Sequence, residues 1–262
     1  MGGAYYGARR RPEERGAAFF DLDRTLMAGS SAFHFARAAR RAGLITRRRL
    51  AADAWANVVF RLRGSTDEGT EALRMRISKS IEGVRQRDLM RLSPQVLAGI
   101  LPRVFPQTLE IAFEHQDAGR RVYIVTAAGH EVAEMLAHVL TLDGGIGSRS
   151  EVLDGVYTGR PAGLFTYRQG KAEAIRELAE REGIDLADSY AYSDSESDMP
   201  MLEAVGHPVA VNPDRHLAQI AKERGWPVLR FEKLRTRLRV GGAAAIAAAA
   251  GGAATAVVRR RG

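Results

Sequence analysis

The chain has 262 residues, 45% of them hydrophobic, which is enough apolar material to bury a core and argues for a globular protein. Cysteine is absent, so disulfides, thiolate metal sites and a thiol nucleophile are excluded, and the cytoplasm is the expected compartment. The net charge is +8, but the segment from Arg230 to Gly262 holds eight basic residues against one acidic, a net of +7. The remainder is nearly neutral and has neither an aromatic stacking platform nor a helix-turn-helix pattern, so nucleic acid is not an expected partner.

Residues 1–15 lack the apolar run of a secretory signal and read as a disordered leader. Ala17-Ala18-Phe19-Phe20 is a strand-like run that leads directly into Asp21-Leu22-Asp23. From about Gly29 to Ile100 the pattern is helical. Thr46 is the expected N-cap of a helix with Ala51, Ala54, Trp55, Val58, Val59 and Leu62 on one face. After Pro106 the chain alternates helix and strand, the signature of an α/β fold with a mostly parallel sheet. In order, the expected elements are helix 107–117, strand 121–125, a helix around Val132 to Leu140, a hairpin 151–157 turning at Asp154-Gly155, and helix 171–182 stopped by Gly183. Strand 190–193, helix 199–205 and strand 207–211 follow. Asn212-Pro213 reads as an N-cap and helix-opening proline for a helix to about Arg224, and 228–231 closes the sheet.

The stretch 240–258 is uncharged and flanked by arginines. At about 1.5 Å per residue it could just cross a bilayer of roughly 30 Å. Its alanine and glycine content equally fits a low-complexity tail. An anionic membrane surface is therefore a candidate partner for the tail.

Four segments carry chemistry. In extended backbone, residues i and i+2 share a face, so Asp21 and Asp23 can look into one cavity at the strand end. Two carboxylates there suit a nucleophile with an acid/base partner, or a metal site. Thr126-Ala127-Ala128-Gly129 ends a buried strand in a hydroxyl and small side chains before a helix, as a phosphate site requires. His130, next in line, is a candidate substrate contact, although an exposed first-turn histidine is the simpler reading. Lys171 follows Gly170 at a helix N-terminus, where a cation opposes the macrodipole unless an anion partners it. Ser193 to Asp198 sets hard oxygen donors at another strand end, which suits Mg²⁺. Each segment alone has an ordinary explanation as a cap, a turn or a solvated side chain. Together they all fall at the carboxyl edge of one α/β sheet, the edge where such sheets bind ligands.

The ordered set Asp21-x-Asp23-x-Thr25, Thr126, Lys171 and Asp194-x-x-x-Asp198 resembles the motifs of the haloacid dehalogenase (HAD) superfamily, over about residues 17–231. The wording Phe19-Phe20-Asp21-Leu22-Asp23-Arg24-Thr25-Leu26 and Tyr192-Ser193-Asp194-Ser195 is similar to its HAD-IB, phosphoserine-phosphatase-like branch. The resemblance implies a Rossmann-like core, 16–28 and 101–232, with a helical C1 cap, 29–100, inserted after the first strand, and a basic tail, 233–262. It implies a hydrolase of phosphomonoesters that passes through an aspartyl-phosphate. Asp21 would be the nucleophile and Asp23 the general acid/base. Asp21, Asp194 and the backbone carbonyl of Asp23 would hold Mg²⁺, Thr126, Ala127 and Lys171 would bind phosphate, and Asp198 and Thr25 would support these groups. Such chemistry is mostly positioning and charge compensation.

Three positions depart from the phosphoserine phosphatases. Ser30 stands where those enzymes carry a glutamate that reads the substrate amine, Thr126-Ala127-Ala128 replaces Ser-Gly-Gly, and Arg24 replaces serine. With arginines between positions 37 and 49, these differences favour a small or lipid-derived anionic phosphomonoester over phosphoserine. Phosphoserine hydrolysis, phosphoryl transfer to a second substrate, as in mutases, and a non-enzymatic membrane-tethered ligand sensor are the alternatives.

Overall fold

The computed structural model describes residues 15–44 and 67–231. The expected leader, apart from its last residue, the Thr46 cap with its apolar helix face, and the tail with its candidate membrane segment lie outside the described residues. Among the described residues no helix is long and apolar enough to cross a membrane.

The chain opens with strand β1 (Ala17–Asp21), every residue of which is buried. Helices α1 (Ser31–Arg41), α2 (Asp67–Ser80), α3 (Gln86–Met90) and α4 (Ser93–Ile100) follow, then a 3-10 turn at Leu101–Arg103. The α/β alternation begins with α5 (Pro106–Asp117), β2 (Arg121–Gly129) and α6 (His130–Val139). Strands β3 (Gly144–Leu153) and β4 (Val156–Ala162) form the hairpin, and α7 (Gln169–Glu182) ends at Gly183 in the left-handed conformation. Then come β5 (Tyr190–Ser193), a 3-10 turn (Glu196–Asp198), α8 (Met199–Glu203), β6 (His207–Val211), α9 (Arg215–Arg224) and the short β7 (Val228–Leu229).

The seven strands lie in the order β4-β3-β2-β1-β5-β6-β7, all parallel except the β3–β4 hairpin. Both faces are covered, as a parallel sheet requires. Alternate residues of each strand feed separate cores. Phe20, Val122, Ile124, Tyr192, Val209 and Val211 pack with Val132 and Leu136 of α6 and with Ala38, Ala39, Val96 and Ile100 of α1 and α4. Phe19, Tyr123, Val125, Ala191 and Ala210 pack with Ile175, Leu178, Met201, Leu202 and Leu217. Helices α1 and α4 thus share a core with the sheet.

Three local expectations are corrected. The N-cap of α9 is Asp214, whose carboxylate accepts from Leu217 N at 2.8 Å, not Asn212. Asn212 sits at φ +44 and uses its Oδ1 to accept from Phe231 N, a role open to asparagine because its short amide tolerates left-handed backbone. Strand β2 runs four residues past Val125, and β3 starts at Gly144. The glycines of β3 concealed it, being poor strand formers that serve close packing here. A Cβ on Gly147 would fall 2.7 Å from His130 Cα, and one on Gly145 2.2 Å from the carbonyl carbon of Ala133. Helix α6 can reach the sheet only over bare backbone.

At the opposite end of the sheet from the carboxylates, His115 is buried, its Nε2 lying 2.7 Å from Tyr192 Oη while Nδ1 accepts from Arg120 Nε at 2.7 Å. Burial, with the Arg120 charge second, pushes the imidazole down to about 4 from an ordinary 6.5. Between those values the unfolded chain takes a proton that the folded one refuses, so stability is intact above about 6.5 and is lost as pH falls towards 4. His115→Gln is expected to flatten the acid limb of melting temperature against pH over that window, checked by thermal melts of both proteins.

Candidate active site

The order of the strands reverses beside β1, with β2 to β4 on one side and β5 to β7 on the other. At such a switch point the connections leave in opposite directions and open a crevice at the carboxyl ends. Asp21 ends β1 and Asp194 follows β5, its direct neighbour, so the topology sets these carboxylates at that crevice.

Lys171 sits among the acids. Only 2% exposed, its Nζ donates to Asp21 Oδ1 at 2.5 Å and to Asp198 Oδ2 at 2.7 Å, and Ser193 Oγ donates to the same Asp198 oxygen at 2.7 Å. The expectation that a lysine at a helix N-terminus has an anionic partner holds, with two. Its backbone position depends on Gly170, since a Cβ there would fall 1.8 Å from the Phe165 carbonyl oxygen. Burial disfavours the ammonium, but Asp198 and Asp21 outweigh it and hold the lysine charged. One lysine does not balance all the acids. Burial foremost pushes Asp21 up to about 8 despite Lys171, with Asp198, Asp194 and Asp23 adding to the rise. Burial likewise lifts Asp194 to about 7, against the pull of Arg24. The cavity therefore holds more carboxyl groups than its own cations can keep ionised.

Asp23 is half-buried at the start of α1, where its carboxylate accepts from Ser31 N at 2.8 Å and Ser30 Oγ at 3.1 Å. Thr25 is fully buried, its carbonyl accepts from Thr108 Oγ1, and its own hydroxyl has no hydrogen-bond partner. Thr126 is also buried and lies on an irregularity of β2. Val125 pairs with Ile146 and Gly129 with Ser148, so two extra residues bulge out of the strand between them. Thr126 Oγ1 accepts from Ala128 N at 3.2 Å, which folds Thr126-Ala127-Ala128 into a tight arch ahead of α6.

His130 is not simply exposed. It is half-buried, with Nε2 3.0 Å from Arg149 Nη2, and burial with the Arg149 charge lowers its basicity. Sequence reasoning passed over two contacts. Ser193 braces Asp198, and Arg24, noted only as a departure from serine, places Nε 3.1 Å from Asp194 Oδ2. That oxygen is buried and accepts no aligned hydrogen bond, so the contact is an ion pair alone. A cleft of about 460 Å³ lies between α2 and the β4–α7 connection, lined by Arg74, Phe165, Tyr167 and Pro200 among others. Asp21, Asp23 and Asp194 are not in its lining, which meets the site's residues only through Gly170, next to Lys171.

Among the described residues no three His, Cys, Asp or Glu side chains form a ready metal cage. A divalent cation would thus rest on one or two carboxylates, backbone oxygen and water, the habit of Mg²⁺. The surplus of buried carboxyl groups and the unbonded Asp194 Oδ2 fit such an ion.

This sheet, with acids gathered at its carboxyl edge, defines an α/β class of ligand-binding fold, and the comparisons make the class specific. The family model of haloacid dehalogenase-like hydrolases matches residues 18–203, and the chain belongs to that family. It is 40% identical over 223 residues to a probable phosphatase of Mycobacterium tuberculosis, covering 85% of this chain and 77% of that protein. It is 39% identical over 239 residues to a phosphoserine phosphatase of the same organism, covering 90% and 78%. A solved structure of a protein of unknown function from Bordetella pertussis Tohama I superposes with a TM-score of 0.72 at 29% identity, covering 82% of this chain and 98% of that one.

Replacing Lys171 by Met leaves Asp21 and Asp198 buried without their cation, which costs about 3–5 kcal/mol where both are ionised. Loss of the Lys171 charge, which lowers Asp21, lets burial raise that carboxyl further, so protonation relieves part of the cost in acid. Denaturant unfolding is expected to show a larger loss at about pH 8.5 than at about pH 6.

Proposed function

We propose that this chain is a Mg²⁺-dependent phosphatase that takes the phosphoryl group of a phosphomonoester onto Asp21. The observation that carries the reading is the Asp21–Lys171–Asp198 contact, which fixes a buried carboxylate beside a cation at the switch point of the sheet. Membership of the hydrolase family and the phosphatase names of close relatives support phosphoric monoesters as the substrate class.

In this reading Asp21 attacks phosphorus as the ester P–O bond breaks, and Asp23 gives its proton to the departing alkoxide. Water then attacks the phosphoryl-aspartate, Asp23 accepts its proton, and phosphate leaves with Asp21 regenerated. Ser30 and Ser31 aim Asp23, whose charge acts on Asp21. Lys171 and Thr126, with the backbone at Ala127, bind the phosphoryl oxygens, and Asp198 holds Lys171 in place. Asp21, Asp194 and the Asp23 carbonyl would hold Mg²⁺, which when bound supplies charge to the phosphoryl oxygens and offsets the repulsion among the acids. In this reading residues 29–100, of which 45–66 lie outside the described residues, would form the cap.

Phosphoserine is the second reading, favoured by the name of the 39% identical relative. Against it, Ser30 spends its hydroxyl on Asp23 and has no charge for an ammonium group. A lipid-derived ester rests on the basic tail, outside the described residues.

With Mg²⁺ the protein is expected to release phosphate from an aryl phosphate, and Asp21→Asn to lower the rate at least about 10³-fold. A wild type that stays silent with Mg²⁺ across a broad phosphoester panel would overturn the proposal. Mg²⁺ should also stabilise the fold, and more so in base. Carboxylates raised to about 8 and about 7 keep protons that the unfolded chain has lost, so the metal-free fold weakens as pH climbs through those values. A cation that binds the ionised acids should therefore raise the melting temperature by several degrees more at about pH 8.5 than at about pH 6.

A further inference from the structure

We infer that Arg24 determines specificity, reading an anionic group on the alcohol portion of the substrate, so that the natural ester carries a carboxylate or a similar charge beyond its phosphoryl group. The inference rests on the phosphatase reading and narrows its substrate class. Three observations support it.

Arg24 holds φ +67, a left-handed conformation that a Cβ makes costly and that glycine adopts freely. Strain of this kind in a non-glycine residue collects at functional sites, where the side chain is worth its backbone. That side chain is 51% exposed and leans over the carboxylate crevice, with Nε 3.1 Å from Asp194 Oδ2. Asp23, the proposed proton donor to the leaving oxygen, is the neighbour of Arg24 in sequence.

The partner it has here is one it would share. Asp194 is a proposed Mg²⁺ ligand, and a dication on that carboxylate competes with the guanidinium for the same charge. Asp23, whose carboxylate accepts from Ser30 and Ser31, forms no ion pair with Arg24 among the described residues. A half-exposed guanidinium at the mouth is then free for an anion from solvent, for which its planar fork suits a carboxylate.

The surroundings have the same sign. Arg103 and Arg37 lie close enough to the buried His34 that, after burial, their charges lower its basicity, against the pull of Asp23. Ser30 and Ser31 are uncharged. This side of the site favours a negative leaving group and disfavours an ammonium.

The test uses three esters of similar size that differ in leaving-group charge: phosphoglycolate, hydroxyethyl phosphate and phosphoethanolamine. With Mg²⁺, kcat/KM of the full-length protein is expected to fall in that order. In Arg24→Gln the ratio of phosphoglycolate to hydroxyethyl phosphate should drop about tenfold, chiefly through KM, and Arg24→Lys should restore much of it. Calorimetric titration of Asp21→Asn with phosphoglycolate and hydroxyethyl phosphate, in the presence and absence of Arg24→Gln, should give the same change in the ratio of Kd values without turnover. Hydrolysis of all three esters without charge preference, or an equal loss on all three in Arg24→Gln, overturns the inference and leaves the phosphatase reading standing. Failure of the wild type to hydrolyse any ester, aryl phosphate included, defeats that reading itself.

Discussion

The ammonium of Lys171, held between Asp21 and Asp198, is the contact on which the rest of the site depends. A buried lysine needs anions, and buried carboxylates need a cation. The pair satisfies both only if helix α7 delivers its first turn to the end of β1. That delivery needs Gly170 bare against the Phe165 carbonyl, and it needs the order β2-β1-β5, which brings the ends of two parallel strands side by side. The fold accepts an imperfect balance there, since burial foremost, with the neighbouring acids behind it, lifts Asp21 and Asp194 well above the ordinary carboxylate range. Under the proposed function a divalent cation would offset the acids at this crevice, which is how a preorganised site differs from a well-packed core.

Around this centre the chain separates two tasks. The alternating strand residues secure the sheet, Phe19 on one face and Phe20 on the other, in cores that exclude water on both sides. The chemistry sits where that alternation runs out at the carboxyl edge. The bulge after Val125 belongs to the same division, because a regular strand would keep Thr126 in the ladder, whereas two extra residues lift the Thr126 arch out of it. Arg24 is a further instance: backbone strain in the β1 extension places a charge over the mouth.

Much of this was legible from residue order. Strands with strong apolar runs, β1, β5 and β6, were readable to within a residue, as were Gly183 as a helix stop and Asp154-Gly155 as a turn. Where the sequence misled, tertiary packing had overridden local preference. Gly144, Gly145 and Gly147 look unlike a strand because α6 needs their missing side chains. Asn212-Pro213 looks like a helix start, yet Asp214 takes the cap while Asn212 ties β6 to the segment after β7.

The sequence by itself determined the chemical alphabet of the site: paired acids two residues apart, a hydroxyl after a buried strand, a lysine at a helix start, and an acidic turn after another strand. Local rules suffice for these, because strand periodicity and helix ends are set by neighbouring residues. Only the tertiary structure decided which of those charges meet. That Lys171 bonds Asp21 and Asp198 while Arg24 takes Asp194 depends on strand order and on the approach of α7, contacts between residues up to 170 positions apart in sequence. Coulomb interaction in a buried cavity follows distance in space, and no spacing along the chain encodes it.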